Sequence, residues 1–239
     1  IGHQKEINYA LRASMTKDEF VKELTDGLLP PPAYFPLNVK LNKEGYKSVE
    51  DIIKTSEKPL SVKDFELISN ETEAIILDVR HQLEFVKGFI PRSVFIGLAG
   101  GFAPWVGALL VDVKQPILLV VEEGMEEEAV IRLSRVGFDN VIGILQGGFK
   151  NWIDSGKETD RIETIEASKL VELDSPPVFD VRKTGEYTAG HIEFAESTPL
   201  DYINEYLSAF PNKGDFYIHC AGGYRSVIAN SILKKQGIH

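Results

Sequence analysis

Short apolar runs rich in Ile and Val recur along the chain, at Ala74-Ile-Ile-Leu-Asp-Val79, Ile117-Leu-Leu-Val-Val121, Asn140 to Leu145, Val178-Phe-Asp-Val181 and Phe216-Tyr-Ile-His-Cys220. Between them the apolar positions fall at helical spacing, as in Ala129-Val-Ile-Arg-Leu133 and Val227-Ile-Ala-Asn-Ser-Ile-Leu233. Strand-like runs that alternate with helical ones predict an α/β fold of parallel strands joined by crossover helices. Ser61-Val-Lys-Asp64 reads as a helix-capping start, and Gly147-Gly148 turns the chain into a helix around Trp152.

The pattern occurs twice. Ile76-Leu-Asp-Val-Arg80 lies over Val178-Phe-Asp-Val-Arg182 without a gap, at a separation of 102 residues. Glu84 then falls on Glu186, Phe85 on Tyr187, Gly88 on Gly190, Ile90 on Ile192 and Leu98 on Leu200. A period this long exceeds any solenoid unit and fits two copies of one domain, placed at 58–157 and 158–239. Each copy is expected to be a small parallel sheet flanked by helices. The second should need the same closing strand and helix as the first, so the sequence predicts a truncated final domain.

Residues 1–57 match neither copy and read as a helical tail and linker. Thr16-Lys-Asp-Glu19 is a capping box, Gly27 a helix stop before Pro30-Pro31-Pro32, Asn38 to Gly45 a polar loop, and Ser48-Val-Glu-Asp51 another helix start. The first residue is Ile, so a processed chain or a piece of a longer one is expected.

Cys220 is the only cysteine. It ends a strand-like run and opens the turn Ala221-Gly222-Gly223-Tyr224-Arg225-Ser226 before an apolar helix. A turn of this kind surrounds the sulfur with backbone N–H groups at a helix N-terminus. Since the thiolate is the reactive form and a free thiol titrates near pH ~8.5, such a site and a nearby cation, Arg225, favour the reactive species. A lone cysteine is more often a small buried hydrophobe, but the Gly-Gly pair and the arginine that follow it point to chemistry.

A net charge of −10 without a lysine-rich face argues against a nucleic-acid partner. No apolar stretch reaches the roughly 20 residues that span a bilayer, so no membrane association is expected. A single cysteine forms no internal disulfide, which suits a reducing cytoplasm.

The second copy resembles the rhodanese family. It carries Asp-Val-Arg after a strand, Glu186-Tyr187 followed by Gly190-His191-Ile192, and a cysteine opening the six-residue loop Cys220 to Arg225. The resemblance implies that Cys220 carries sulfane sulfur as a persulfide and passes it to a thiol acceptor. Arg225 would assist catalysis, and Ala221, Gly222, Gly223, Tyr224, Ser226 and His191 would line the substrate site. The partners implied are a small-molecule sulfur donor and the thiol acceptor, with a homo-oligomer left open.

Glu19-Phe20-Val21, Pro30-Pro31-Pro32, and Tyr34-Phe35 through Asn42 and Gly45 resemble the end of a metallo-β-lactamase domain fused to rhodanese domains, as in persulfide dioxygenases. The iron of such a fusion sits on a His-x-His-x-Asp-His cluster, and His3 is the only histidine here before His81. No cofactor or metal is therefore expected in this chain.

In the first copy Val120 or Val121 stands where the thiol should be, followed by Glu122, Glu123, Glu126, Glu127 and Glu128. Carboxylates there would repel an anionic substrate, so this copy reads as catalytically silent. Asp180 and Arg182 recur as Asp78 and Arg80 in the silent copy and read as a structural ion pair. His219 precedes the thiol by one strand residue and should face the other way. Two rival functions stand beside sulfur transfer. One is a phosphatase or arsenate reductase, whose Cys-x5-Arg loop is one residue longer; the other is a non-catalytic tandem docking module.

Overall fold

The computed structural model describes His3 and residues 15–25, 34–110 and 112–238. The leading unit, Ile1–Pro32, contains helix α1 (Lys17–Thr25). Its capping box forms as the sequence requires: the Thr16 amide donates to Glu19 Oε2 at 2.8 Å and the Glu19 amide to Thr16 Oγ1 at 3.3 Å. The predicted stop at Gly27 and the prolines at 30–32 lie outside the described residues.

The chain from Ala33 to His239 is one compact unit. It opens with a departure from expectation: of Asn38 to Gly45, expected as a loop, all but Gly45 belong to helix α2 (Phe35–Glu44). Pro36 sits in the first turn, where its missing N–H costs nothing, and Gly45 ends the helix at φ 90°. The polar residues that suggested a loop are the exposed side of the helix. Helix α3 (Val49–Ser56) starts at Ser48, whose hydroxyl accepts from the Asp51 amide at 3.1 Å. Ile52, 4% exposed, joins the core beneath it. The expected linker boundary at residue 57 therefore falls just behind a helix already docked on the first domain.

That domain has strands β1 (Pro59–Leu60), β2 (Ile75–Asp78), β3 (Val94–Phe95), β4 (Ile117–Val120) and β5 (Val141–Leu145), in the order β1-β5-β4-β2-β3. Every pairing is parallel. The crossovers carry α4 (Val62–Glu71), α5 (Gln82–Phe85), α6 (Phe102–Leu109) and α7 (Glu126–Ser134), and α8 (Gly148–Asp154) follows β5. Both faces of the sheet are covered, so β2 and β4 are buried along their length and, apart from Asp78 at the end of β2, are apolar throughout. Ser61 caps α4 through the Asp64 amide, as its sequence indicates.

The second domain repeats the central part. After α9 (Ala167–Leu170) come β6 (Val178–Asp180), α10 (Thr184–Ala189), β7 (Ala195–Ser197), β8 (Tyr217–His219) and α11 (Tyr224–Lys235). The strands form a parallel sheet in the order β7-β6-β8. In the first domain β5 separates β1 from β4; in the second a groove of about 530 Å³ runs between Arg161–Glu166 and the start of β8. β8 is correspondingly half-buried where β4 is fully buried.

Register settles which valine replaces the thiol. Asp78 pairs with Val120 and Asp180 with His219, so Val121 occupies the position of Cys220. The Asp-Val-Arg motifs are structural in both copies. Arg80 Nη2 donates to Asp78 Oδ2 at 2.6 Å and to the Gly88 carbonyl at 2.9 Å; Arg182 Nη2 makes the same two bonds, to Asp180 at 2.6 Å and Gly190 at 2.8 Å. Each pair ties a strand end to the close of the next helix.

One apolar cluster runs through both domains, including Phe95, Val106, Leu200, Ile203, Ile228 and Ile232. α11 covers the edge strand β3, with the Phe95 amide donating to Ser231 Oγ at 2.9 Å. Covering an edge in this way removes a free row of backbone donors.

Removing one partner of a buried ion pair leaves an uncompensated charge and costs about 3–5 kcal/mol. Arg80→Met should approach that loss, because Asp78 is 0% and Arg80 8% exposed. Arg182→Met should lose less, since Arg182 is 19% exposed and water can reach the orphaned site. Urea denaturation of both variants tests the order; an equal loss, or a larger one for Arg182→Met, contradicts it.

Candidate active site

β8 delivers Cys220 to the C-terminal edge of its sheet, the edge at which ligands of parallel α/β sheets bind. The chain then turns through Ala221, Gly222 and Gly223, all exposed. Gly223 has φ 82°, a left-handed conformation that favours glycine and aims the next amides back toward the sulfur. The Ser226 amide stands 3.4 Å from Sγ and the Ser226 hydroxyl 3.5 Å. Burial pushes the Cys220 thiol up, but the Ser226 hydroxyl and the amides of Ser226, Gly222 and Gly223 outweigh it and bring the thiol below its ordinary value. The macrodipole of the twelve-residue helix α11 acts in the same direction.

Ser226 has one hydroxyl proton and two acceptors, Sγ at 3.5 Å and the Gly223 carbonyl at 3.1 Å. Beside a thiol it can donate to the carbonyl and accept from S–H. Beside a thiolate it must turn its proton to the sulfur. It is thus the side chain most directly engaged with the charge on Cys220.

Arg225, expected as the cation of the loop, forms a two-pronged pair with Glu186, Nη1 to Oε2 at 2.6 Å and Nη2 to Oε1 at 2.9 Å. This pair, with the Lys183 amide, holds the Glu186 carboxyl down at about 2. Arg225 remains close enough for a charged Cys220 to favour its protonated form, after Glu186. Its immediate role is to tie the loop to α10. The sequence places Glu186 in the repeat match and in the rhodanese-like motif, but does not mark it as a partner of the thiol loop. A topological signal was available, because loops after successive parallel strands meet at one edge, which brings the β6 loop against the β8 loop.

Two expected site residues are elsewhere. Tyr224 points away from the sulfur into the first domain, where its hydroxyl donates to the Gly97 carbonyl at 2.7 Å. An aromatic between a glycine pair and an arginine looks like a substrate wall, but helical geometry turns it to the packed side. His191 is exposed and packs on its own helix, stacked on Tyr187 at 3.7 Å with Nδ1 2.9 Å from the Tyr187 carbonyl. His219 has Nε2 3.4 Å from Asp180 Oδ2. Burial keeps its imidazole below the ordinary value, which leaves it neutral near pH 7.

The first domain keeps the turn and has valine in place of the thiol. Gly124 has φ 85°, matching Gly223, but Val121 is 2% exposed and belongs to the core. A cleft of about 280 Å³ lined by His81, Glu122, Met125, Glu128 and Arg132 stands beside it. Glu122 accepts from the His81 amide at 3.3 Å and Glu128 pairs with Arg132 at 2.5 Å. Among the described residues no group of three or more His, Cys, Asp or Glu side chains could share a metal ion.

The Rhodanese-like domain family profile matches residues 61–155 and 163–239. A tRNA uridine(34) hydroxylase of Protochlamydia amoebophila is 28% identical over 94 residues, covering 36% of this chain and 29% of that protein. The chain thus spans under a third of this relative's length. The crystal structure of a thiosulfate sulfurtransferase from Pseudomonas aeruginosa is similar over 85% of this chain and 44% of its own, at 18% identity and a TM-score of 0.35. That of a 3-mercaptopyruvate sulfotransferase from Escherichia coli is similar over 76% and 95%, at 14% identity and 0.36.

Alkylation of the single thiol by iodoacetamide, followed against pH, reads the site directly. The rate should rise with a midpoint below the ~8.5 of a free thiol. Ser226→Ala removes a donor to the thiolate, so its midpoint should move upward and its rate at pH 7 fall. An unmoved midpoint would mean that the amides stabilise the sulfur without the hydroxyl.

Proposed function

The chain belongs to the rhodanese-like domain family, and from that premise we propose that it is a sulfurtransferase whose second domain carries sulfane sulfur as a persulfide on Cys220. The observation that carries this reading is a single thiol, lowered by a ring of amides and the Ser226 hydroxyl, at the C-terminal edge of a parallel sheet.

Two exchange steps balance. The Cys220 thiolate attacks the outer sulfur of thiosulfate or of a low-molecular-weight persulfide. An S–S bond forms to Sγ as the donor's own S–S bond breaks, and sulfite or a thiolate leaves with the electron pair. The loop amides stabilise the anionic persulfide. Arg225, braced by Glu186, stays close enough to Cys220 to favour negative charge on its sulfur. An acceptor thiolate then takes the outer sulfur, and Sγ departs as the thiolate that began the cycle. No net oxidant or reductant is consumed.

The first domain is silent in this reading, because Val121 offers no nucleophile and the following glutamates disfavour an anion. Residues 1–57, by their resemblance to the end of a metallo-β-lactamase domain, suggest a setting of the persulfide dioxygenase type. Iron would then be held in that other domain, and sulfur transfer here would serve sulfide and persulfide metabolism in a reducing cytoplasm.

Purified protein should transfer sulfur from thiosulfate to dithiothreitol, and Cys220→Ser should abolish turnover. Arg225→Ala should cost on the order of 10²-fold, as loss of a charge-stabilising group commonly does. Turnover retained by Cys220→Ser overturns the proposal. Cys220-dependent hydrolysis of p-nitrophenyl phosphate without sulfur transfer would favour the phosphatase reading instead.

A further inference from the structure

The loop that holds Cys220 is bolted to the other domain. Tyr224 lies between Gly223, whose amide faces the sulfur, and Arg225, which grips Glu186. Its hydroxyl donates to the Gly97 carbonyl at 2.7 Å, and its ring meets Phe95 edge-on at 5.8 Å and 71°. Gly100 lies directly beneath the ring: a Cβ there would stand 2.3 to 2.7 Å from three of its carbons. No side chain fits in that space while Tyr224 stays where it is.

The platform below is itself fixed. The Leu98 amide donates to the Val79 carbonyl at 3.0 Å, and Arg132 Nη1 donates to the Leu98 carbonyl at 2.8 Å. Arg132 is held by Glu128, one of the glutamates of the silent loop. A second bolt lies two helical turns along α11, where Ser231 Oγ accepts the Phe95 amide at 2.9 Å. With two anchors on one face, the direction of α11 is set by the first domain, and its first turn supplies donors to Sγ.

We propose that the silent domain positions the Cys220 loop through Tyr224 clamped on Gly97 and Gly100, and thereby sets the reactivity of the thiol. Tyr224 is a positioning residue in this account, because it reaches the sulfur only through the amides on either side of it. Burial raises its phenol above the usual range, so it remains a donor at any physiological pH. The proposal rests on Cys220 being the reactive group, but alkylation reads the thiol whether or not sulfur transfer occurs.

The test is a double-mutant cycle on full-length protein, with folding checked by circular dichroism. Gly100→Ala, made in the silent domain, should raise the midpoint of Cys220 alkylation and lower sulfur transfer. The loss could reach about 10²-fold, as small displacements of a reacting group do. Tyr224→Ala should also raise the midpoint, and adding Gly100→Ala to it should change nothing more, because the ring it strikes is gone. Tyr224→Phe keeps the ring and loses one bond, so it should shift the midpoint less, and it stands as the test if Gly100→Ala does not fold. A folded Gly100→Ala or Tyr224→Phe protein with an unmoved midpoint overturns the proposal. So does a double variant in which the two shifts simply add.

Discussion

The packing of α11 along the edge of β3 organises this molecule. At its first turn the helix presents the amides and the hydroxyl that hold the Cys220 sulfur; along one flank it closes the sheet of the other domain through Tyr224 and Ser231. One apolar cluster continues beneath it from Phe95 to Ile232. A helix with both duties cannot be loosened at one without disturbing the other. This gives a physical reason for a domain without a nucleophile to stay attached to one that has it.

Comparison of the two copies separates scaffold from chemistry. The brace from Asp78 through Arg80 to Gly88 recurs as Asp180, Arg182 and Gly190, with matching bonds. The left-handed glycine recurs as well. At the strand end that bears the thiol, what differs is the loop: Val121 for Cys220, and carboxylates for the residues that would face an anion. Since the brace persists where valine replaces the thiol, it serves the turn at the strand end. The Cys220 loop adds donors and a paired arginine to a turn that both domains already possess.

The parallel sheets and the duplication were legible in the sequence because their signals are local and repeated. β4 is an unbroken apolar run and β2 one that ends in Asp78, and the two copies could be aligned by their shared Asp-Val-Arg. Cys220 stood out through the glycines that follow it. Longer-range features were not legible. α2 was hidden because its exposed side is polar; the start of α3 at Ser48 was legible, but its attachment was not, because it depends on Ile52 finding a core supplied by later residues. The directions of Tyr224 and Arg225 depend on partners 127 and 39 residues away. Sequence spacing says which residues share a loop, whereas tertiary packing decides which of them face the sulfur.

The central claim is that Cys220 is a sulfur carrier, and the most direct measurement is the intact mass of the folded protein before and after incubation with thiosulfate. The account predicts a gain of one sulfur atom per chain, localised to the peptide bearing Cys220, reversed by dithiothreitol and absent from Cys220→Ser. An unchanged mass in folded protein whose Cys220 is still alkylated readily would contradict it, because the thiol would then be reactive without accepting sulfur.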